Sequence, residues 1–279
     1  MTKRFFPILL LGVLFQGCAN KVSSSDVSVA DISAEMHVTS EDNRNAYIEV
    51  QLRKGSTNSN DFLSLEGGDR LIASTQPDFT GIHIGHDLFN NVSDLSGKYK
   101  EMAEGSDTIT IPFLLFPLVD LQFLGDGGIW YFTTFPQISS NTEFTIAFIR
   151  NEKPGAPNST VRLPDAFEIT DPLNGSATVY SRQSDSISVQ WTPSGTLFSM
   201  TLDTYMNCAD GTKSHKSTGL TGDTGSYTLT LGSLGNFSGA CTASLNIRRS
   251  GLGKLDSSYG KGGILLGQQS RTVVINTSD

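Results

Sequence analysis

The chain has 279 residues, with 28 Asp and Glu against 20 Lys and Arg, 28 Gly, three Cys and four His. A net charge of −8 without any basic stripe excludes a nucleic-acid binder, which needs a cationic face to displace counterions from phosphates. The length exceeds the roughly 250 residues that a single core usually supports, so two domains are expected.

Lys3 and Arg4 precede an apolar run from Phe5 to Phe15, broken only by Pro7 and Gly12. A membrane-spanning helix needs about 20 apolar residues. This shorter run behind a positive start has the form of a secretory signal. It leads into Leu14-Phe15-Gln16-Gly17-Cys18-Ala19, which resembles the bacterial lipoprotein signal, or lipobox. Gly17 and Cys18 match its small residue and its modified cysteine, whereas Phe15 and Gln16 depart from the usual Leu and small residue. The resemblance implies that residues 1–17 are removed and that Cys18 carries acyl chains as the mature N-terminus. Because Ala19 rather than Asp follows, it also implies the outer membrane of a Gram-negative envelope. Two or three chains anchor stably where one binds only marginally. Loss of Lys3 and Arg4 leaves 18 basic residues against 28 acidic, a charge of −10, so attachment rests on lipid and not on charge.

Residues 18–31 show no apolar periodicity and are expected to form the acylated terminus and a flexible stalk. Such a stalk reaches about 20 Å as a coil and at most about 43 Å extended. Period-two alternation dominates beyond it, bounded by Gly, Asn, Asp and Pro clusters. Ile48, Val50 and Leu52 alternate with Glu49, Gln51 and Arg53. Phe144, Ile146 and Phe148 form a second set, and Ile187, Val189 and Trp191 a third. Leu229 and Leu231 follow, and then Cys241, Ala243, Leu245 and Ile247. The pattern predicts an all-β protein of two sandwiches, residues 32–164 and 165–279, divided where a strand over 159–163 stops at Pro164.

The stretch Asp185-Ser-Ile-Ser-Val-Gln-Trp191-Thr-Pro193 resembles the second strand of a fibronectin type III or related immunoglobulin-like module. Gly225 to Leu234 resembles the fifth strand and its Leu-bearing turn, and Thr133 to Arg150 the approach to the sixth. The tyrosine that usually opens the sixth strand is replaced by Phe144 in the first block and Cys241 in the second. A tandem pair of such sandwiches is what the resemblance implies. With Cys18 lipidated, Cys208 and Cys241 remain as an even pair in an oxidising compartment. Cys208 shares parity with Met200, Leu202 and Met206, as Cys241 does with Ala243 and Leu245, so both point into one core and are expected to be bridged.

Chemistry is sparse. His83, His86 and Asp87 lie within five residues, but on a strand positions 83 and 86 face opposite ways, and zinc needs three or four converging ligands. No metal or other cofactor is expected. Asp126 and Asp223 stand in Gly-rich turns, and neither they nor Asp120 have the ligand spacing of a calcium loop. The chain has no nucleophile elbow, zinc-protease motif or phosphate loop. The segment from Ile111 to Leu124 is dense in large apolar residues and carries Pro112 and Pro117. Two readings stand for Phe113, Leu114 and Phe116, with Trp130 and Tyr131: short core strands joined by a bend at Phe116-Pro117 with the rings filling the sandwich, or a candidate contact patch for a protein or glycan partner. The reading favoured by these features is a non-enzymatic, lipid-anchored envelope protein serving as a structural or binding module. The alternative is a carbohydrate-binding or hydrolytic lipoprotein that uses the His83, His86 and Asp87 region.

Overall fold

The computed structural model describes residues 19–41, 44–75, 99–105, 128–136, 138–151, 153–194, 198–235 and 237–279. In chain order the strands of the first half are β1 (Asn20–Ser23), β2 (Ile32–Ser40), β3 (Ala46–Lys54), β4 (Asp61–Ser64), β5 (Arg70–Ser74), β6 (Tyr99–Glu101), β7 (Ala103–Gly105), β8 (Trp130–Phe135), β9 (Glu143–Ile149) and β10 (Ala156–Arg162). Those of the second half are β11 (Ile169–Asp171), β12 (Val179–Ser181), β13 (Ser186–Trp191), β14 (Ser199–Cys208), β15 (Lys213–Leu220), β16 (Ser226–Thr230), β17 (Cys241–Leu252) and β18 (Gly263–Ser278). Among the described residues the helical elements are single 3-10 turns, and the protein is all-β, as the period-two alternation predicts.

One sheet of eleven strands runs the length of the molecule, its main path being β1-β4-β3-β2-β18-β17-β14-β15. Two smaller sheets pack on it, β10-β9-β5-β6 over one half and β11-β13-β16 over the other. Between the first pair of layers lie Met36, Ile48, Val50, Leu52, Phe144, Ile146 and Phe148, all without solvent exposure. Between the second pair lie Ile187, Val189, Trp191, Leu202, Leu245 and Ile275. Alternate residues of a strand share one face, and on β18 Leu265 enters the first core while Val273 and Ile275 enter the second. The same parity places both small sheets on the same side of the long one.

The second sandwich opposes β11-β13-β16 to β15-β14-β17-β18. In immunoglobulin-type lettering this is A-B-E against C′-C-F-G, a fibronectin type III or immunoglobulin-like arrangement. The segment likened to that family's second strand is β13, and its Trp191 is buried. Where the family's tyrosine would stand, Cys241 faces Cys208 across adjacent strands, and the two form a disulfide.

Two expectations are corrected. Residues 20–31 are not a stalk. Asn20–Ser23 pair in parallel with Asp61–Ser64, and Val27 and Val29 are buried in the first core. Arg150, itself buried beside Asp69 at 3.1 Å, donates to the carbonyls of Ser24 and Val27. The alternation rule missed this because two short 3-10 turns, Ser24–Asp26 and Val29–Asp31, interrupt the period. Nor does the second unit keep all of 165–279. Gly263–Gln269 pair in parallel with Ala34–Ser40, and Tyr259 and Leu265 belong to the first core. The chain returns to complete the first sandwich before β18 continues into the second.

At the crossing between the two cores the long sheet places three polar residues under the connecting segment. Arg249 is 1% exposed and donates to the carbonyls of Asp165 and Thr192, both at 2.7 Å. It also pairs with Asp223 at 2.8 Å. Asp223 in turn accepts from Trp191 Nε1 at 2.7 Å and from the Ser194 amide at 2.9 Å. Arg249 and Arg271 both lie over the Phe167 ring, with guanidinium carbons 4.7 and 5.4 Å from its centroid. Gln269 donates to the Pro164 carbonyl at 3.2 Å. Each buried charge here has a partner, the condition under which burial is tolerable.

Asp223→Ala leaves Arg249 buried without its counter-charge and frees Trp191 Nε1. An expected loss of about 3–5 kcal/mol follows, measurable by urea unfolding; a loss below about 1 kcal/mol would mean the pair is dispensable. A second test concerns Asp256, which ties the β17–β18 connection to β10 by accepting from the Asn158 amide at 2.7 Å and the Ser258 amide at 2.8 Å. Burial pushes its carboxyl upward, but these N–H donors outweigh burial and hold it below the usual range. A depressed carboxylate stabilises the fold above its unfolded value, near 4, and that contribution is lost as pH falls through the lower folded value. Asp256→Asn should therefore cost about 1–3 kcal/mol at neutral pH, and the difference from wild type should vanish in strong acid.

Candidate functional site

The face of the long sheet turned away from both small sheets carries the polar half of every alternation. At one end Glu35 accepts from His37 Nε2 at 3.1 Å, and Arg53 lies 3.9 Å from the same carboxylate while also donating to Gln51. The hydrogen bond from His37 holds the Glu35 carboxyl below its usual value, against the effect of burial. Glu49 stands directly across from His37. Burial raises its carboxyl, and the charge of His37 pulls the other way. In the middle Thr39 donates to Gln268 Oε1 at 3.3 Å, and Gln268 Nε2 donates to Ser250 at 3.1 Å.

At the far end Asp203 is 3% exposed although it stands on the open face. Arg248 Nη2 lies 2.6 Å from it and His215 Nε2 3.4 Å. The His215 ring stacks on Tyr205, with centroids 4.4 Å apart and planes 11° from parallel. These rings and the guanidinium shield the carboxylate from water, and burial raises the Tyr205 hydroxyl. Asn246 donates to Ser270 and Thr272, both at 2.7 Å. Ile264, across from Glu35, and Leu252, across from Leu266, add exposed apolar area. The result is a continuous, nearly charge-balanced ladder of donors and acceptors across both sandwiches. Such a surface offers hydrogen bonding and shape rather than free charge, since its charges are already paired.

The residues singled out from sequence fare unevenly. Cys18, His83, His86, Asp87, Phe113, Leu114 and Phe116 lie outside the described residues, as do Asp120 and Asp126. Trp130 is half-buried at the start of β8. Tyr131 is corrected: it is 1% exposed in the first core, donating to the Leu63 carbonyl at 3.0 Å and accepting from the Leu65 amide at 2.9 Å. It fastens β4 and offers no contact surface. Asp223, expected to be only a turn residue, is the partner of Arg249. Gly128 lies so close to the sheet that a Cβ there would overlap Gln51 and the Phe62 ring, so only glycine lets the chain cover them. Among the described residues no three His, Cys, Asp or Glu side chains converge as metal ligands.

The outer face escaped the sequence reading because partners such as Asp203 and Arg248 lie on different strands. The signal existed in Glu35-x-His37-x-Thr39 and in Asp203-x-Tyr205, alternating polar positions opposite apolar ones.

No family model matches the chain, and no curated protein matches it. Solved structures that superpose on it include the FN1–FN3 domains of chicken CNTN1, at 13% identity over 94% of this chain and 69% of that one, with a TM-score of 0.28. Dpr11 IG1 bound to DIP-gamma IG+IG2 matches at 10% identity over 87% and 98%, with a TM-score of 0.22. The calcium-binding domain CBD12 of CALX1.1 matches at 9% over 88% and 98%, with a TM-score of 0.20. Such low superposition carries no further inference, and the sandwich assignment rests on the strand order itself.

The disulfide closes a loop with a sequence separation of 33. In the chain-entropy model its replacement by Cys208→Ala with Cys241→Ala should cost about 3–4 kcal/mol. Thiol labelling of the denatured, unreduced wild type should find neither sulfur free; free thiols at both positions would refute the bridge.

Proposed function

We propose that this protein is a lipid-anchored, non-enzymatic binding module of the cell envelope, held by acyl chains on Cys18 and presenting the outer face of its long sheet to a protein or glycan partner. The observation that carries the reading is the continuity of that face. The two sandwiches are not beads on a string: β18 belongs to both, so the donors and acceptors from Glu35 to His215 form one rigid surface. A binding surface gains from such preorganisation, since less freedom is lost when a partner docks. Both imidazoles on this face are engaged in the ladder, His37 with Glu35 and His215 with Asp203 and Tyr205. The lipobox-like Gly17-Cys18 supports anchoring, and the net acidity of the chain leaves charge no part in it.

Mass spectrometry of membrane-extracted protein should find Cys18 acylated, and Cys18→Ala should release the protein from membranes. Unmodified Cys18 would refute the anchor. For the binding face, photo-crosslinking residues at Thr272 and Asn246 should capture a partner in intact cells. The same residue at Ser188 or Thr228, exposed on the second small sheet, should not. Equal capture at both pairs would refute the assignment of the face.

A further inference from the structure

We infer that the protein sits directly on the bilayer, with the N-terminal end of its first sandwich at the headgroups and its second sandwich pointing away. This rests on the reading of Cys18 as the lipid-bearing residue and deepens it, because the structure removes the stalk that would separate lipid from body.

Only Ala19 lies between Cys18 and the first strand. Two residues of extended chain reach about 7 Å, against the 20 to 43 Å a free stalk over residues 19–31 would reach. From Asn20 onward the chain is fastened. Its amide donates to the Asn60 carbonyl at 2.8 Å, and its side chain donates to Asp61 at 3.0 Å. Lys21 pairs with Glu104 at 3.1 Å. The ladder then runs from Asn20 opposite Asp61 to Ser23 opposite Ser64. Releasing this segment as a tether would also expose Val27 and Val29, both buried in the first core, and would leave the Arg150–Asp69 pair partly uncovered.

The topology shows which end of the molecule this is. Asp61 follows the β3–β4 turn, and the Gly55 amide at the start of that turn donates to the Asp31 carbonyl at 2.7 Å. The β17–β18 connection joins the same end, where the Ala34 amide donates to the Gly262 carbonyl at 3.0 Å. From there β18 runs sixteen residues, Gly263 to Ser278, a rise of about 50 Å at 3.3 Å per residue. The C-terminal Asp279, held by Arg182 and the Gly239 amide, therefore lies at the opposite pole. Among the described residues the proximal pole carries the ion pairs Lys21–Glu104 and Lys261–Asp31, the latter at 3.7 Å, with Lys54 and Asp61 adding one charge of each sign. An anionic headgroup layer would neither repel nor hold it strongly, so the short covalent link sets the height.

The test uses the full-length acylated protein in vesicles of phosphatidylethanolamine and phosphatidylglycerol. Genetically encoded fluorophores at Asn58, in the β3–β4 turn, and at Asp279 report energy transfer to a headgroup acceptor. Asn58 should transfer strongly, and Asp279 should read on the order of 50 Å farther out, following the length of β18. Twenty Gly and Ser residues inserted between Ala19 and Asn20 should abolish the strong transfer at Asn58 while leaving flotation with vesicles intact. Flotation with weak, equal transfer from both sites would overturn the seating while leaving the anchor standing. Loss of flotation in wild type would instead refute lipidation, so the two failures are distinguishable.

Discussion

Everything in this molecule depends on one strand serving two cores. The first half of β18 pairs with β2 and sends Leu265 into the first core, and its second half sends Val273 and Ile275 into the second. Because β17 pairs with it along twelve residues that span the junction, Cys241 to Leu252 opposite Thr277 to Leu266, bending at the domain junction would break a ladder of backbone hydrogen bonds. The connecting segment crosses this ladder where Arg249, Gln269 and Arg271 stand. There the Phe167 ring carries two guanidinium groups, and Asp223 supplies the counter-charge to Arg249. Two cores with a rigid seam are thus one mechanical body.

That rigidity gives the outer face its meaning. In a chain of independent modules, the polar positions of successive sandwiches would reorient with every motion of the linker. Here Glu35 and Asp203, on different sandwiches, belong to one twisted sheet and keep their relation. The ion pairs on the face are partly exposed, so each contributes little to stability. What they do is hold side chains in defined rotamers across a surface wide enough for a macromolecular partner.

The same economy of connection governs the N-terminus. A flexible tether would let a lipid-anchored module sample many orientations. The strand β1 and the burial of Val27 and Val29 instead join the expected acylation site to the body within two residues, and under the proposed anchoring the long axis of β18 points away from the membrane.

How far this was legible in the chain can be argued residue by residue. Alternation of Ile48, Val50 and Leu52, or of Ile187, Val189 and Trp191, reports burial on one side of a strand, because side chains alternate faces whatever the strand pairs with. The parity of Cys208 and Cys241 likewise pointed both sulfurs into one core. Residues 20–31 misled because 3-10 turns erase the period while Val27 and Val29 still find a core. Tyr131 misled because an aromatic in a cluster reads alike whether it faces solvent or fastens a neighbouring strand through its hydroxyl. Local sequence thus determined the all-β class, the inward-facing residues and the bridged cysteines, for these follow from the geometry of a single strand. Tertiary structure alone decided that one C-terminal strand completes both sandwiches, that Asp223 neutralises Arg249, and that the polar faces align, since each joins residues far apart in the chain whose meeting no local period encodes.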